Sequence, residues 1–152
     1  MIHIFSDASC SEVLGVGCYC IMASLTDEIN IMTVETDNYK STKMEFFTIL
    51  TALKSINSSS DQIIIYTDCK SFIRYMNEGI SNAIDDVMKN ELDQLLSQFD
   101  IEVVKIKGHN KKDLIITKEQ EIFSIIDKTA RKRLRHSNSD ESVSVAVLYH
   151  YH

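Results

Sequence analysis

The chain has 152 residues, a formal net charge of −6 and 44% hydrophobic residues, which excludes a disordered polymer and allows one domain with a sizeable core. No apolar run approaches the ~20 residues of a membrane span, and Asp7 breaks the first apolar stretch before a signal-peptide core can form. Cys10, Cys18, Cys20 and Cys69 show neither a CxxC pair nor zinc-ligand spacing, so reduced thiols in a cytoplasmic protein are expected, with no membrane partner.

Ile2 to Ser9 alternates, with His3, Phe5 and Asp7 on one face and Ile2, Ile4 and Ser6 on the other, which is a strand period. Gly15 to Ser24 reads as a second strand with Val16, Cys18, Cys20 and Met22 on one face, and Ile29 to Thr36 as a third. Short connections make these three an antiparallel meander. From Ser41 to Ile56 the period becomes helical: Glu45, Ile49, Ala52, Leu53 and Ile56 share one face, and Ser41 or Thr42 is expected to cap the start. Ile63-Ile64-Ile65-Tyr66 reads as a strand buried on both faces, hence central and parallel, with Asp68 at its carboxyl end. A short helix over Ser71–Glu78 follows, then a longer one over Asp85–Phe99 carried by Val87, Leu92, Leu95, Leu96 and Phe99. Ile101 to Ile106 is a further strand, and Glu119 to Arg135 a last helix with Ile122, Ile126, Ala130 and Leu134 on one stripe. Residues 1–135 thus read as one domain. Residues 136–152 form a C-terminal tail: Ser137 to Ser142 is loop-like, and Val143, Val145, Val147, Tyr149 and Tyr151 alternate like a strand. That segment fits an edge strand, a pairing element for a second molecule, or a loose tail.

Charge is unevenly spread. Lys105 to Arg135 holds 10 basic and 4 acidic residues, net +6, and the remainder is net −12. A basic third on an acidic body points to a polyanionic partner.

Four acids stand where acids are disfavoured. Asp7 lies inside a strand, Glu45 on a buried helical stripe, Asp68 at the carboxyl end of the most apolar strand, and Asp127 among Ile125, Ile126 and Ala130. Carboxylates on four different elements suggest convergence, and converging carboxylates repel unless cations sit between them. Hard ions such as Mg²⁺ or Mn²⁺ prefer such oxygen ligands, and two of them can clamp a phosphodiester.

Six motifs then stand in order along residues 1–135: Ile4-Phe5-Ser6-Asp7-Ala8-Ser9-Cys10, Gly15-Val16-Gly17-Cys18-Tyr19, Ser41-Thr42-Lys43-Met44-Glu45, Ile64-Ile65-Tyr66-Thr67-Asp68-Cys69, Val104-Lys105-Ile106-Lys107-Gly108-His109 and Asp127-Lys128-Thr129-Ala130-Arg131. The chain resembles the ribonuclease H family of type 1 in all six. The resemblance implies an α/β, ribonuclease H-like fold: a five-stranded mixed sheet, three antiparallel then two parallel strands, with helices on both faces. It implies that Asp7, Glu45, Asp68 and Asp127 are metal-ligating catalytic acids and that His109 is the loop histidine handling the attacking water or product. It further implies nucleic-acid contacts from Ser9, Cys10, Ser41, Thr42, Lys43 and Lys107; the charge distribution adds Lys40, Lys43 and the Lys105–Arg135 segment as expected phosphate contacts. The expected activity is Mg²⁺-dependent (or Mn²⁺-dependent) two-metal endonucleolytic hydrolysis of the RNA strand of an RNA–DNA hybrid.

The chain departs from the family in places. Val13-Leu14-Gly15 stands where members usually carry Asn-Pro-Gly, and Ser41, Thr42 and Lys43 replace two amides and an arginine. Those polar groups help read the RNA 2′-hydroxyl. The basic, tryptophan-bearing handle of many members is absent, and the Asp85–Phe99 helix is acidic instead. Two alternatives remain: another nuclease of this fold, or a weak or inactive module that binds nucleic acid or protein, with the tail open to self-association.

Overall fold

The computed structural model describes residues 1–37, 39–57, 62–107, 117–139 and 146–151, with 137–139 and 146–151 as backbone only. Three strands open the chain, β1 (Ile2–Cys10), β2 (Leu14–Met22) and β3 (Ile29–Asp37), followed by helix α1 (Ser41–Lys54) and strand β4 (Gln62–Thr67). Helices α2 (Lys70–Glu78) and α3 (Asp86–Leu96), strand β5 (Asp100–Lys105), helix α4 (Lys118–Ser139) and strand β6 (Ala146–Tyr151) complete it.

The sheet order is β5-β4-β1-β2-β3-β6. β1, β2 and β3 form the expected antiparallel meander, while β4 pairs parallel to β1 and β5 parallel to β4. This is the five-stranded mixed arrangement that the residue periods imply, and the central place of β4 explains its apolar run. β6 adds to it, lying antiparallel against β3 with Ile29 opposite Tyr151 and Val34 opposite Ala146.

Alternation along β1 divides the protein into two cores. Ile4 faces one with Tyr19, Phe46, Ile49, Leu53, Ile65, Phe72 and Leu92. Phe5 faces the other with Val16, Cys18, Cys20, Ile122, Phe123, Ile126 and Ala130. Each fully buried Phe, Ile or Leu contributes ~1.5–3 kcal/mol of transfer free energy. Helix α1 is buried well beyond the stripe read from its sequence: Met44, Phe46, Thr48 and Leu50 are buried as well. The reason is its place between the sheet and α2–α3, whose Phe72, Tyr75, Met88 and Leu92 close over it. It approaches β2 so closely that a Cβ on Gly17 would lie 1.9 Å from Thr48 Oγ1.

Three local expectations need correction. Neither Ser41 nor Thr42 caps α1: Lys40 is the N-cap, without a side-chain bond. Starting the helix at Ser41 places both hydroxyl residues inside its first turn. Val87 is 76% exposed and Met88 docks in its place, beside the expected Leu92 and the partly buried Leu95 and Leu96; Asp85 caps the helix by accepting from Met88 N–H at 2.8 Å. Helix α4 continues through Ser139, past the polar residues read as loop; no glycine or proline stops it there.

Candidate active site

The chain geometry delivers the four acids from four elements to one end of the sheet. Asp7 comes from the carboxyl half of β1, Glu45 from the second turn of α1, Asp68 from just beyond β4, and Asp127 from the middle of α4. Asp7, Glu45 and Asp127 are buried at 4%, 6% and 8% exposure, and Asp68 is half-buried. Asp7, Glu45 and Asp68 each present an oxygen within 4.8 Å of the others. Asp127 interacts with Asp7 and also accepts from Arg131 Nη2 at 2.9 Å, one turn further along α4.

Ala8 N–H donates to Glu45 Oε1 at 3.0 Å, so β1 itself orients the glutamate. The second oxygen, Oε2, is buried without a hydrogen-bond partner. Such an atom costs ~1–3 kcal/mol or more when charged. Burial, then the neighbouring Glu45, raises the Asp7 carboxyl far above the ordinary range. Burial also raises Glu45, opposed by the adjacent Asp7 carboxyl and the Ala8 N–H. Without a cation, then, the cluster retains protons. The donor set is all oxygen, anionic when deprotonated, and includes an unsatisfied buried carboxylate oxygen, which fits a hard divalent cation. A soft metal is not favoured there: burial pushes the Cys69 thiol up to about 11 and raises Cys10. All four cysteines are free.

The acids open into a cleft of ≈ 480 Å³ that Ala8, Ser9, Ser41, Thr42, Cys69, Lys70, Ser71 and Arg131 also line. Ser9, Ser41 and Thr42 are therefore brought to the acids. Cys10 is half-buried and does not line the cleft; its thiol lies close to Gly15, as Met44 does, and feels the Glu45 carboxyl. Lys43 is turned aside: its Nζ lies 4.4 Å from the Tyr39 ring centre and 3.6 Å from Asp85. With Lys40 and Thr42 it lines a second hollow of ≈ 390 Å³. Lys107 is exposed, just past β5, and His109 lies outside the described residues. Lys70, Ser71 and Arg131 were not singled out by pattern alone. Their signal is adjacency: two follow Asp68 within three positions, and Arg131 is i+4 from Asp127.

A model of the RNase H family matches residues 1–135. Solved structures share the fold at low identity. RNase H1 from the halophilic archaeon Halobacterium salinarum is 11% identical with a TM-score of 0.62, covering 87% of this chain and 98% of that one. LC11-RNase H1, solved in complex with an RNA/DNA hybrid, is 12% identical with a TM-score of 0.54, covering 70% and 85%. The protease–reverse transcriptase of prototype foamy virus is 17% identical with a TM-score of 0.61; the match covers 88% of this chain and spans only 20% of that protein. A search of curated proteins by sequence finds no match.

Proposed function

The chain belongs to the RNase H family, and from that premise we propose that it is a divalent-metal-dependent endonuclease that hydrolyses the RNA strand of RNA–DNA hybrids, leaving 3′-hydroxyl and 5′-phosphate ends. The observation that carries the reading is the three-carboxylate locus with its unsatisfied Glu45 oxygen. An idle cluster of buried acids would only destabilise the fold. Asp7, Glu45, Asp68 and Asp127 would hold the ions, Mg²⁺ by preference. Such ions supply charge compensation for the phosphodiester and lower the pKa of the attacking water.

The chain's own groups do the rest. The Ala8 N–H fixes the glutamate, so Glu45 needs little reorganisation as charge develops. Ser9, Ser41 and Thr42 put hydroxyls along the cleft, where they can exchange hydrogen bonds with a ribose 2′-hydroxyl. His109, placed by sequence after Lys107-Gly108, supplies an imidazole able to carry a proton near neutral pH. The LC11 complex supports the substrate assignment by kinship of fold. The test is incubation of the purified protein with end-labelled RNA–DNA hybrid, RNA duplex and DNA duplex, each with Mg²⁺, Mn²⁺ or EDTA. Cleavage of the hybrid's RNA strand with either ion and none in EDTA is expected; cleavage that survives EDTA contradicts the reading.

A further inference from the structure

Several described cations outside the carboxyl-terminal half of α4 have acidic partners, while Lys70, Arg74 and Lys105 share one hollow with Glu78. Lys43 faces Asp85 at 3.6 Å, Lys89 faces Asp93 at 2.7 Å, and Lys54 pairs with Glu91. The α3 side is therefore neutralised or acidic, with Asp85, Asp86 and Asp93 exposed. In contrast, residues 128–139 of α4 contain Lys128, Arg131, Lys132, Arg133 and Arg135 and no acid. Arg133 turns inward to Glu35 on β3 at 2.6 Å, and Arg131 reaches Asp127 at the cleft. Lys128, Lys132 and Arg135 are exposed and form no ion pair among the described residues. They stand at i, i+4 and i+7, one stripe of the helix.

The direction of α4 carries that stripe past the cleft, which Arg131 lines and Lys128, Lys132 and Arg135 do not. Asp127 meets Asp7, while Arg133 meets Glu35, which lies opposite Val16, itself opposite Ser9. The helix therefore advances toward the carboxyl end of β1 and continues to Ser139, about 18 Å of helix beyond Asp127 at 1.5 Å per residue. Like charges at i, i+4 oppose helix formation, so this run is not there for local stability. Nor does the helix dipole account for it, since that effect fades within the last turn and all three cations precede it.

We propose that the exposed face of the carboxyl-terminal half of α4 is a phosphate track, on which Lys128, Lys132 and Arg135 hold the backbone of nucleic acid bound in the carboxylate cleft. The proposal rests on the nuclease reading above. It routes the substrate along α4 and away from the acidic α3 side.

Binding of a fluorescein-labelled hybrid of about 20 base pairs, followed by anisotropy in EDTA from 50 to 200 mM KCl, tests it. Lys132→Gln/Arg135→Gln is expected to weaken binding at least tenfold at low salt and to reduce the slope of log K against log[salt] by about two. Lys54→Gln/Lys89→Gln is expected to leave the slope as in the wild type. In Mg²⁺ turnover the α4 variant should raise KM and keep kcat. A merely helix-stabilising role would instead lower Tm and leave the slope alone, which overturns the track. So does an α4 variant with wild-type affinity and slope while the wild type still binds and cleaves hybrid, and the nuclease reading then stands. A wild type that neither binds nor cleaves hybrid removes both.

Discussion

Glu45 carries a contradiction that a bound cation would resolve. One oxygen is held by the Ala8 N–H at 3.0 Å, and the other is buried with no partner. Asp7, beside it, is raised by burial and by Glu45 itself. A carboxyl whose folded pKa exceeds its unfolded value binds more protons in the folded state, so stability falls as pH rises between the two values. In EDTA, thermal melts of the wild type should therefore lose more stability between pH 5 and pH 8 than those of Asp7→Asn. Saturating Mg²⁺ at pH 8 should raise the wild-type Tm by more than it raises the variant's. Equal pH slopes and equal Mg²⁺ shifts would mean that the acids do not act as one site. At this scale the sequence was informative, since Asp7 in a strand and Glu45 on an apolar stripe are each out of place alone. The bond from Ala8 and the pairing of Arg131 with Asp127 were not legible, because they depend on how β1, α1 and α4 are set in space. Lys43 could not be placed either; its charge is drawn to Tyr39, just ahead of its own motif, and to Asp85, distant in sequence from it.

The helix that carries Glu45 is held by close packing rather than by a cap, whereas α4, which carries Asp127, opens on a reciprocal cap between Thr117 and Gln120. Helix α1 starts on Lys40 without a side-chain cap, and its position comes from burial of Phe46, Ile49 and Leu53 and from contact with β2. Gly17 permits that contact, since a Cβ there would meet Thr48 Oγ1 at 1.9 Å. Gly17→Ala should destabilise the protein by roughly 1–3 kcal/mol through overpacking, and Gly17→Ala/Thr48→Ala should recover part of it, since the Cβ of residue 48 remains 2.9 Å away, read by urea unfolding. An unchanged midpoint for the single variant would show that α1 can move off the sheet. Strand and helix identities were legible because periods of two and 3.6 differ sharply in β1, β2 and α4. Which face α3 buries was legible only in part: Leu92 is buried as its stripe implies, but Val87 and Met88 are adjacent and both apolar, and only Met88 turns inward.

At the scale of the molecule, a six-stranded sheet brings the carboxyl ends of β1 and β4 together under one cleft, and α4, whose Arg131 lines that cleft, runs past it with an exposed basic stripe. The charge asymmetry along the chain was readable from the sequence; its concentration on one side of the cleft required the course of α4. The alternation of residues 143–151 left edge strand, self-pairing and loose tail open, and the register of β6 on β3 places it on this chain's own sheet. Removing residues 140–152 would uncover the β3 edge, and a fall in Tm of a few degrees, ~1–2 kcal/mol, is expected; an unchanged Tm would mean that β6 contributes nothing to stability. The most direct test of the whole account compares hybrid cleavage by the wild type and by Asp68→Asn in Mg²⁺ under single-turnover conditions. The account predicts RNA-strand cleavage by the wild type and a loss of at least 10³-fold in the variant, with folding intact by circular dichroism. Equal rates in the two proteins, or no cleavage of hybrid by the wild type with any divalent ion, would contradict it.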